Sequence, residues 1–305
     1  MGLGFSRICD HSRLAPLTDE PAPELMMPKI DDLNGYPADL RSLALITGAS
    51  SGIGEAFARA LAERNYDLVL VARREDRLKV LAQDLRRDYA IVVHVLPTNL
   101  SEPEACERVL AAVAKMGRSV DMLVNNAGYS IAQSFGDVPW KAQQDFLMTL
   151  VVNACGLVHG VLPGMIAKGG GRIIATASLA GFAPGVAGHT LYPGAKSLMM
   201  SFTQAIDAEY RGRGIRATAV SPGFVSTGFA AANGTDVVMA EAPRRLFLTP
   251  EQVVEAALKA NDRGRVIVVP GWYNALAASL MRLLPQDLVR WALMKGSAKY
   301  HLAAD

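Results

Sequence analysis

The stretch Leu43–Phe57, LALITGASSGIGEAF, runs from apolar residues into a turn holding Gly48, Gly52 and Gly54, then into a segment of helical period. A short buried strand that hands the chain through a glycine-rich turn to a helix is the opening of a βαβ unit. Glycine lets the backbone turn tightly and come close to a ligand. The unpaired N–H groups and the positive dipole end of the helix then favour an anion there. The turn therefore reads as a seat for a pyrophosphate.

Outward from this stretch the rhythm repeats. Apolar runs at Leu43–Thr47, Asp67–Ala72, Ile91–Leu96, Met122–Asn125, Arg172–Ala177, Arg216–Val220 and Val266–Val269 are short and bounded by turn residues, as buried parallel strands are. Between them, GEAFARALAERN, EDRLKVLAQDLRRDY and EPEACERVLAAVAKMG carry apolar residues three and four apart, the pattern of amphipathic crossover helices. At Thr249-Pro250-Glu251-Gln252 a threonine cap, a proline at the first helical position and a glutamine closing a capping box predict another helix. Alternation of this kind predicts an α/β fold, a single Rossmann-like doubly wound parallel sheet of about seven strands with helices on both faces. An N-terminal extension and a C-terminal helical tail flank it.

The chain has 305 residues, half of them hydrophobic, and a formal charge of +2. That is enough apolar material for a sizeable core and too little basic excess for nucleic-acid binding. Cys9, Cys106 and Cys155 form no metal-ligand or disulfide pattern, so free thiols in a reducing, cytoplasmic setting and no metal are expected. Residues 1–40 hold Pro16, Pro21, Pro23, Pro28 and Pro37 without a spanning apolar run, and are expected to be partly disordered or wrapped on the surface. Residues 41–271 form the nucleotide-binding unit, and residues 272–305 form the tail. The tail is apolar at helical spacing, broken at Pro285, and carries Arg282, Arg290, Lys295 and Lys299. Packing within a homo-oligomer and peripheral contact with a membrane are its two readings.

TGASSGIG from Thr47, NNAG from Asn125, the asparagine of VVNACG, Ser178 after RIIATA, YxxxK from Tyr192 and SPGFVST from Ser221 follow one another in a single order. This series, spanning about Ser42 to Gly271, resembles the short-chain dehydrogenase/reductase family, and the wording resembles its bacterial general-substrate, ketone-reducing members. The resemblance implies that Gly48, Ser50, Ser51, Gly52, Ile53 and Gly54 bind a nicotinamide dinucleotide. It also puts Asn99, Leu100, Asn125, Ala127 and Gly128 along its adenosine side. Pro222, Gly223, Val225 and Thr227 would border the nicotinamide. Where the family usually has an aspartate after the third strand, this chain has Asn99, whose amide offers both a donor and an acceptor.

Cofactor choice can be argued from the second strand, which ends in Ala72-Arg73-Arg74 rather than in a carboxylate. A guanidinium suits a dianionic 2′-phosphate, so NADP(H) is expected, with Arg73 as the main contact and Arg74 second. The chemistry at the other end follows from Ser178, Tyr192 and Lys196. Reduction of a ketone leaves an alkoxide that needs a proton, which a tyrosine can give while a serine hydroxyl holds the oxygen. Lys196, one turn from Tyr192, would lower the phenol's pKa and, by the resemblance, bind the ribose. Asn153 would by the same resemblance hold a proton-relay water. The expected function is an NADP(H)-dependent oxidoreductase interconverting a ketone and a secondary alcohol, a reductase of a bulky apolar carbonyl compound. A nucleotide-binding regulatory protein with little turnover is the alternative. The helix of Tyr192 should begin at that residue, because Pro193 is tolerated only in a first turn.

Overall fold

The computed structural model describes residues 41–185, 187–188, 190–227 and 243–297. The expectations for residues 1–40 and for Lys299 lie outside them. Seven parallel strands form one sheet in the order β3-β2-β1-β4-β5-β6-β7. They are β1 (Leu43–Thr47), β2 (Asp67–Ala72), β3 (Val93–Pro97), β4 (Met122–Asn125), β5 (Gly171–Thr176), β6 (Ile215–Val220) and β7 (Ile267–Val268). The sequence placed β1, β2 and β4 at the observed bounds. Strand β3 begins two residues later than expected, because the buried Ile91 packs in the core before ladder pairing starts. In RVIVVP only Ile267 and Val268 pair with β6.

Three crossover helices, α1 (Gly52–Glu63), α2 (Glu75–Tyr89) and α3 (Ala105–Lys115), connect the first four strands. One core layer packs Phe57, Leu61 and Leu78 against Ile46 and Leu70, and the other packs Val109 and Leu157 against Leu45 and Leu123. Each such side chain contributes about 1.5–3 kcal/mol by leaving water. The next rod consists of α4 (Trp140–Leu147), a π-helical turn (Met148–Val152) and α5 (Asn153–Ala167). Helix α6 (Tyr192–Tyr210) starts at the expected residue with Pro193 in its first turn. Helix α7 (Pro250–Asp262) carries the predicted capping box, with Gln252 N–H donating to Thr249 and Thr249 N–H donating to Gln252. The described tail is α8 (Trp272–Leu283) and α9 (Gln286–Ser297), parted at Pro285.

The switch in strand order falls between β1 and β4, where the chain leaves the centre of the sheet in both directions. A crevice at the carboxyl ends of the strands is the ligand site of such sheets. The glycine turn, Ser178 and the start of α6 all lie at that end.

Candidate active site

At the nucleotide side, Gly48 has a left-handed φ of 67°, which a side chain would strain. Its neighbours close the turn from the other strand. Thr47 Oγ1 donates to Val124 O and accepts from the N–H groups of Asn126 and Ala127, while Asn126 Nδ2 donates to Thr47 O. A methyl group on Gly54 would lie 2.2 Å from Gly48 O and 2.6 Å from Asn126 Nδ2. The nearer of these atoms is backbone and cannot yield. Gly54→Ala is therefore expected to lower stability by about 3 kcal/mol despite a helix-propensity gain of about 1 kcal/mol, read as a shift in the urea midpoint.

Ser51, the N-cap of α1, makes no side-chain cap bond, so the helix start is left to an external acceptor. Arg74 lies across the turn, donating to Ser50 Oγ at 2.9 Å and Ser51 Oγ at 2.7 Å. Burial lowers its pKa, and the charges of Arg77 and Arg73 lower it further. Arg73 itself is exposed. Arg74 is exposed as well, and its hydrogen bonds to the turn are what set it apart from Arg73. A crowded glycine cradle, an open helix start and three guanidinium groups fit a dinucleotide bearing an extra phosphate.

The other expected contacts divide. Asn99 Oδ1 accepts from the Ser101 N–H and hydroxyl. Leu100 is buried beside it. Asn125 Nδ2 donates to Ala154 O at 2.8 Å, tying β4 to α5, and its buried Oδ1 has no partner. Thr227 faces Gly52, whose added methyl would lie 3.1 Å from Thr227 Cγ2. Val225 is held by a bridge to Leu248. Pro222 O accepts from the Leu179 N–H, and Gly223 packs on Asn274 so closely that a methyl there would lie 2.3 Å from Asn274 Oδ1. The glycine turn thus meets the loop after β6 across the crevice.

Three of the four expected catalytic side chains come together. Ser178 follows β5, and its Oγ accepts from the Ala180 N–H at 3.1 Å, capping a short 3-10 turn over Leu179–Phe182. Burial raises the Tyr192 phenol above its ordinary pKa, opposed by a hydrogen bond from the Ser178 hydroxyl. Lys196 Nζ lies 5.7 Å from the Tyr192 ring centroid and donates to Thr176 O at 2.7 Å. Burial brings this lysine down to about 8. The expected depression of the tyrosine pKa is corrected here, since removal from water outweighs the hydrogen bond from Ser178.

Asn153 is the fourth, and it points elsewhere. Its Nδ2 donates to Leu100 O and Glu102 O, both at 2.9 Å, and its Oδ1 accepts from the Cys106 N–H at 3.1 Å. With those bonds made and the residue only 1% exposed, its side chain clamps the loop between β3 and α3. Leu150, in the π turn, borders Gly128, as Lys196 does. An added methyl on Gly128 would lie 3.5 Å from Leu150 Cγ and 3.6 Å from Lys196 Nζ. Thr149 and the orphaned Asn125 line the same recess.

On the opposite side of Tyr192 is a second recess, lined by Ile131, Gln133, Gln143, Phe146 and Leu191. Tyr129 packs edge-on against Phe146, which leans on Tyr192. The Phe146 cluster was not singled out in the sequence, where an isolated phenylalanine carries no signal. Gly194 is exposed, and an added methyl there meets nothing within 4 Å.

The sequence model of the short chain dehydrogenase family matches residues 42–237. An "uncharacterized oxidoreductase" of Myxococcus xanthus is 30% identical over 246 residues, covering 80% of this chain and 93% of the relative. Among solved structures, a short-chain dehydrogenase from Sphingobium yanoikuyae in complex with NADPH aligns with a TM-score of 0.71 at 28% identity, covering 87% of this chain and 96% of that one. A 7beta-hydroxysteroid dehydrogenase aligns with a TM-score of 0.74 at 25% identity, covering 83% and 96%.

Proposed function

The chain belongs to the short-chain dehydrogenase/reductase family, and from that premise we propose that it is an NADP(H)-dependent reductase of a bulky, apolar ketone. The observation that carries this reading is the meeting of the Ser178 and Tyr192 hydroxyls beside buried Lys196, at the strand ends that also present the glycine turn.

Gly48, Ser50, Ser51, Gly52, Ile53 and Gly54 hold the pyrophosphate in this reading. Arg74 takes the 2′-phosphate with Arg73 beside it, and Asn99, Leu100, Asn125, Ala127 and Gly128 line the adenosine side. Pro222, Gly223, Val225 and Thr227 line the nicotinamide side, and Lys196 serves the ribose. NADPH supplies a hydride to the carbonyl carbon when bound. Ser178 donates a hydrogen bond to the carbonyl oxygen, where negative charge develops. Tyr192 gives its proton to that oxygen. A phenol held above its ordinary pKa keeps this proton at neutral pH, which suits reduction over oxidation. Phe146, Ile131 and Leu191 offer an apolar wall to the substrate, and Gln133 and Gln143 offer amides. The structural relative named as a hydroxysteroid dehydrogenase supports a large alicyclic substrate class.

NADPH absorbance followed across a panel of bulky ketones tests the reaction, and no consumption with any of them would sink it. For the cofactor, Arg74→Ala is expected to weaken NADPH about tenfold or more while leaving NADH binding nearly unchanged. Arg73→Ala should have the smaller effect. Equal losses for the two cofactors in a fluorescence titration would refute the phosphate assignment.

A further inference from the structure

Among the described residues fifteen large apolar side chains are exposed, and eight of them fall in the 26 residues from Trp272 to Ser297, which hold α8, Leu284, Pro285 and α9. Such concentration marks a surface made to be covered. Helix α8 buries Asn274 and Ala278 toward the body of the protein, and turns Trp272, Leu276, Leu280 and Leu283 outward along its opposite side. Trp272 is 79% exposed and Leu283 81%. Helix α9 adds Leu288 and Trp291, with Lys295 Nζ 4.0 Å from the Trp291 ring centroid.

Charge decides between occupants. Residues 272–297 carry Arg282, Arg290 and Lys295 against one carboxylate, Asp287, a net +2. A two-fold contact between copies would bring these cations together, a like-charge cost that an anionic lipid surface turns into attraction. A tryptophan near each end of an apolar stripe, mixed with arginine and lysine, is the composition of helices that lie in a bilayer interface. Neither helix of the described tail, at 12 residues each, is long enough to span, so the contact argued for is peripheral.

Position ties this surface to the catalytic crevice. Arg282 sits over the Phe182 ring at 5.6 Å, at the end of the turn that Ser178 caps. Asn274 packs on Gly223, and Tyr273 Oη donates to Leu246 O beside the stacked Phe224 and Phe247. We infer that α8 and α9 dock the protein on an anionic bilayer with the crevice mouth beside the lipid surface, so that a membrane-partitioned carbonyl compound reaches Tyr192 without crossing bulk water. The docking stands on the tail alone, and the delivery of substrate rests on the reductase reading.

The test is co-sedimentation of the full chain with vesicles of phosphatidylcholine plus phosphatidylglycerol, against phosphatidylcholine alone, for the wild type and Leu276→Glu/Leu283→Glu. The wild type should partition onto the anionic vesicles about tenfold better than onto neutral ones, and lose this in high salt. The double variant should bind them at least about tenfold more weakly, with an unchanged thermal melt and unchanged turnover of a small water-soluble ketone. Absence of wild-type binding, or equal binding by the variant, overturns the docking. So does a halving of mass in sedimentation velocity on substitution without vesicle binding, which would assign the face to a second copy. Vesicle binding seen only after removal of residues 1–40 would assign it to that segment, which carries seven carboxylates against three cations. Vesicle binding by a wild type that reduces no ketone would remove the reductase reading and leave the docking intact.

Discussion

Tyr192→Phe is expected to lower kcat for ketone reduction about a thousandfold while leaving the dissociation constant for NADPH within about twofold. The substitution removes one oxygen and keeps the ring that packs on Phe146, so the fold and the apolar wall persist. What disappears is the proton donor at the developing alkoxide. Ser178 remains to hold the oxygen, but its own hydroxyl is a far weaker acid and already accepts from the Ala180 N–H. Single-turnover measurement separates the chemical step from binding. Retention of wild-type turnover would overturn the assignment of Tyr192.

Lys196→Met should also lose turnover, by at least about a hundredfold, yet stabilise the folded protein at neutral pH. Burial brings Lys196 down from 10.5 to about 8. The unfolded chain therefore binds more protons between these two values, so stability rises with pH across that window. Below about pH 8 the whole cost of holding the ammonium inside, about 3 kcal/mol, falls on the native state. Methionine removes this cost and forfeits the bond to Thr176 O, worth about 1 kcal/mol, for a net gain of about 2 kcal/mol. Urea midpoints at pH 7 and pH 10 check the sign: the variant's advantage should shrink at the higher value. A variant less stable than the wild type at pH 7 would show that the lysine is not held at a cost.

How far the sequence could be read depended on which geometry each inference needed. Continuous apolar runs with turn residues at both ends gave β1, β2 and β4, because a strand buried on both faces needs nothing else. Pro193 gave the start of α6, since a missing N–H is harmless only there. The rod from Trp140 was less legible. Its apolar run looks the same at α and at π spacing, yet a wider turn over Met148–Val152 shifts the rotation of every residue after it. Asn153 consequently turns its side chain to the loop after β3, and Leu150 comes to border Gly128. A similar ambiguity separated Arg73 from Arg74. Both stand at one strand end, and the direction of the chain as it enters α2 decides which one crosses the turn. The tyrosine pKa was misjudged for another reason, because spacing shows that a charge is near but not how much water has been removed.

The strand order β3-β2-β1-β4-β5-β6-β7 also orders events in time. All strands of the half that carries the glycine turn lie before residue 126, and the residues that lock the turn, Asn126 and Ala127, follow at once. Ser178, Tyr192 and Lys196 come at least fifty residues later in the chain. During synthesis from the N-terminus, the four-strand half can close upon itself before any catalytic side chain has left the ribosome. The edge of β4 then waits for β5, and on the proposed reading the growing chain passes through a stage with its phosphate seat built and its catalytic group still to come.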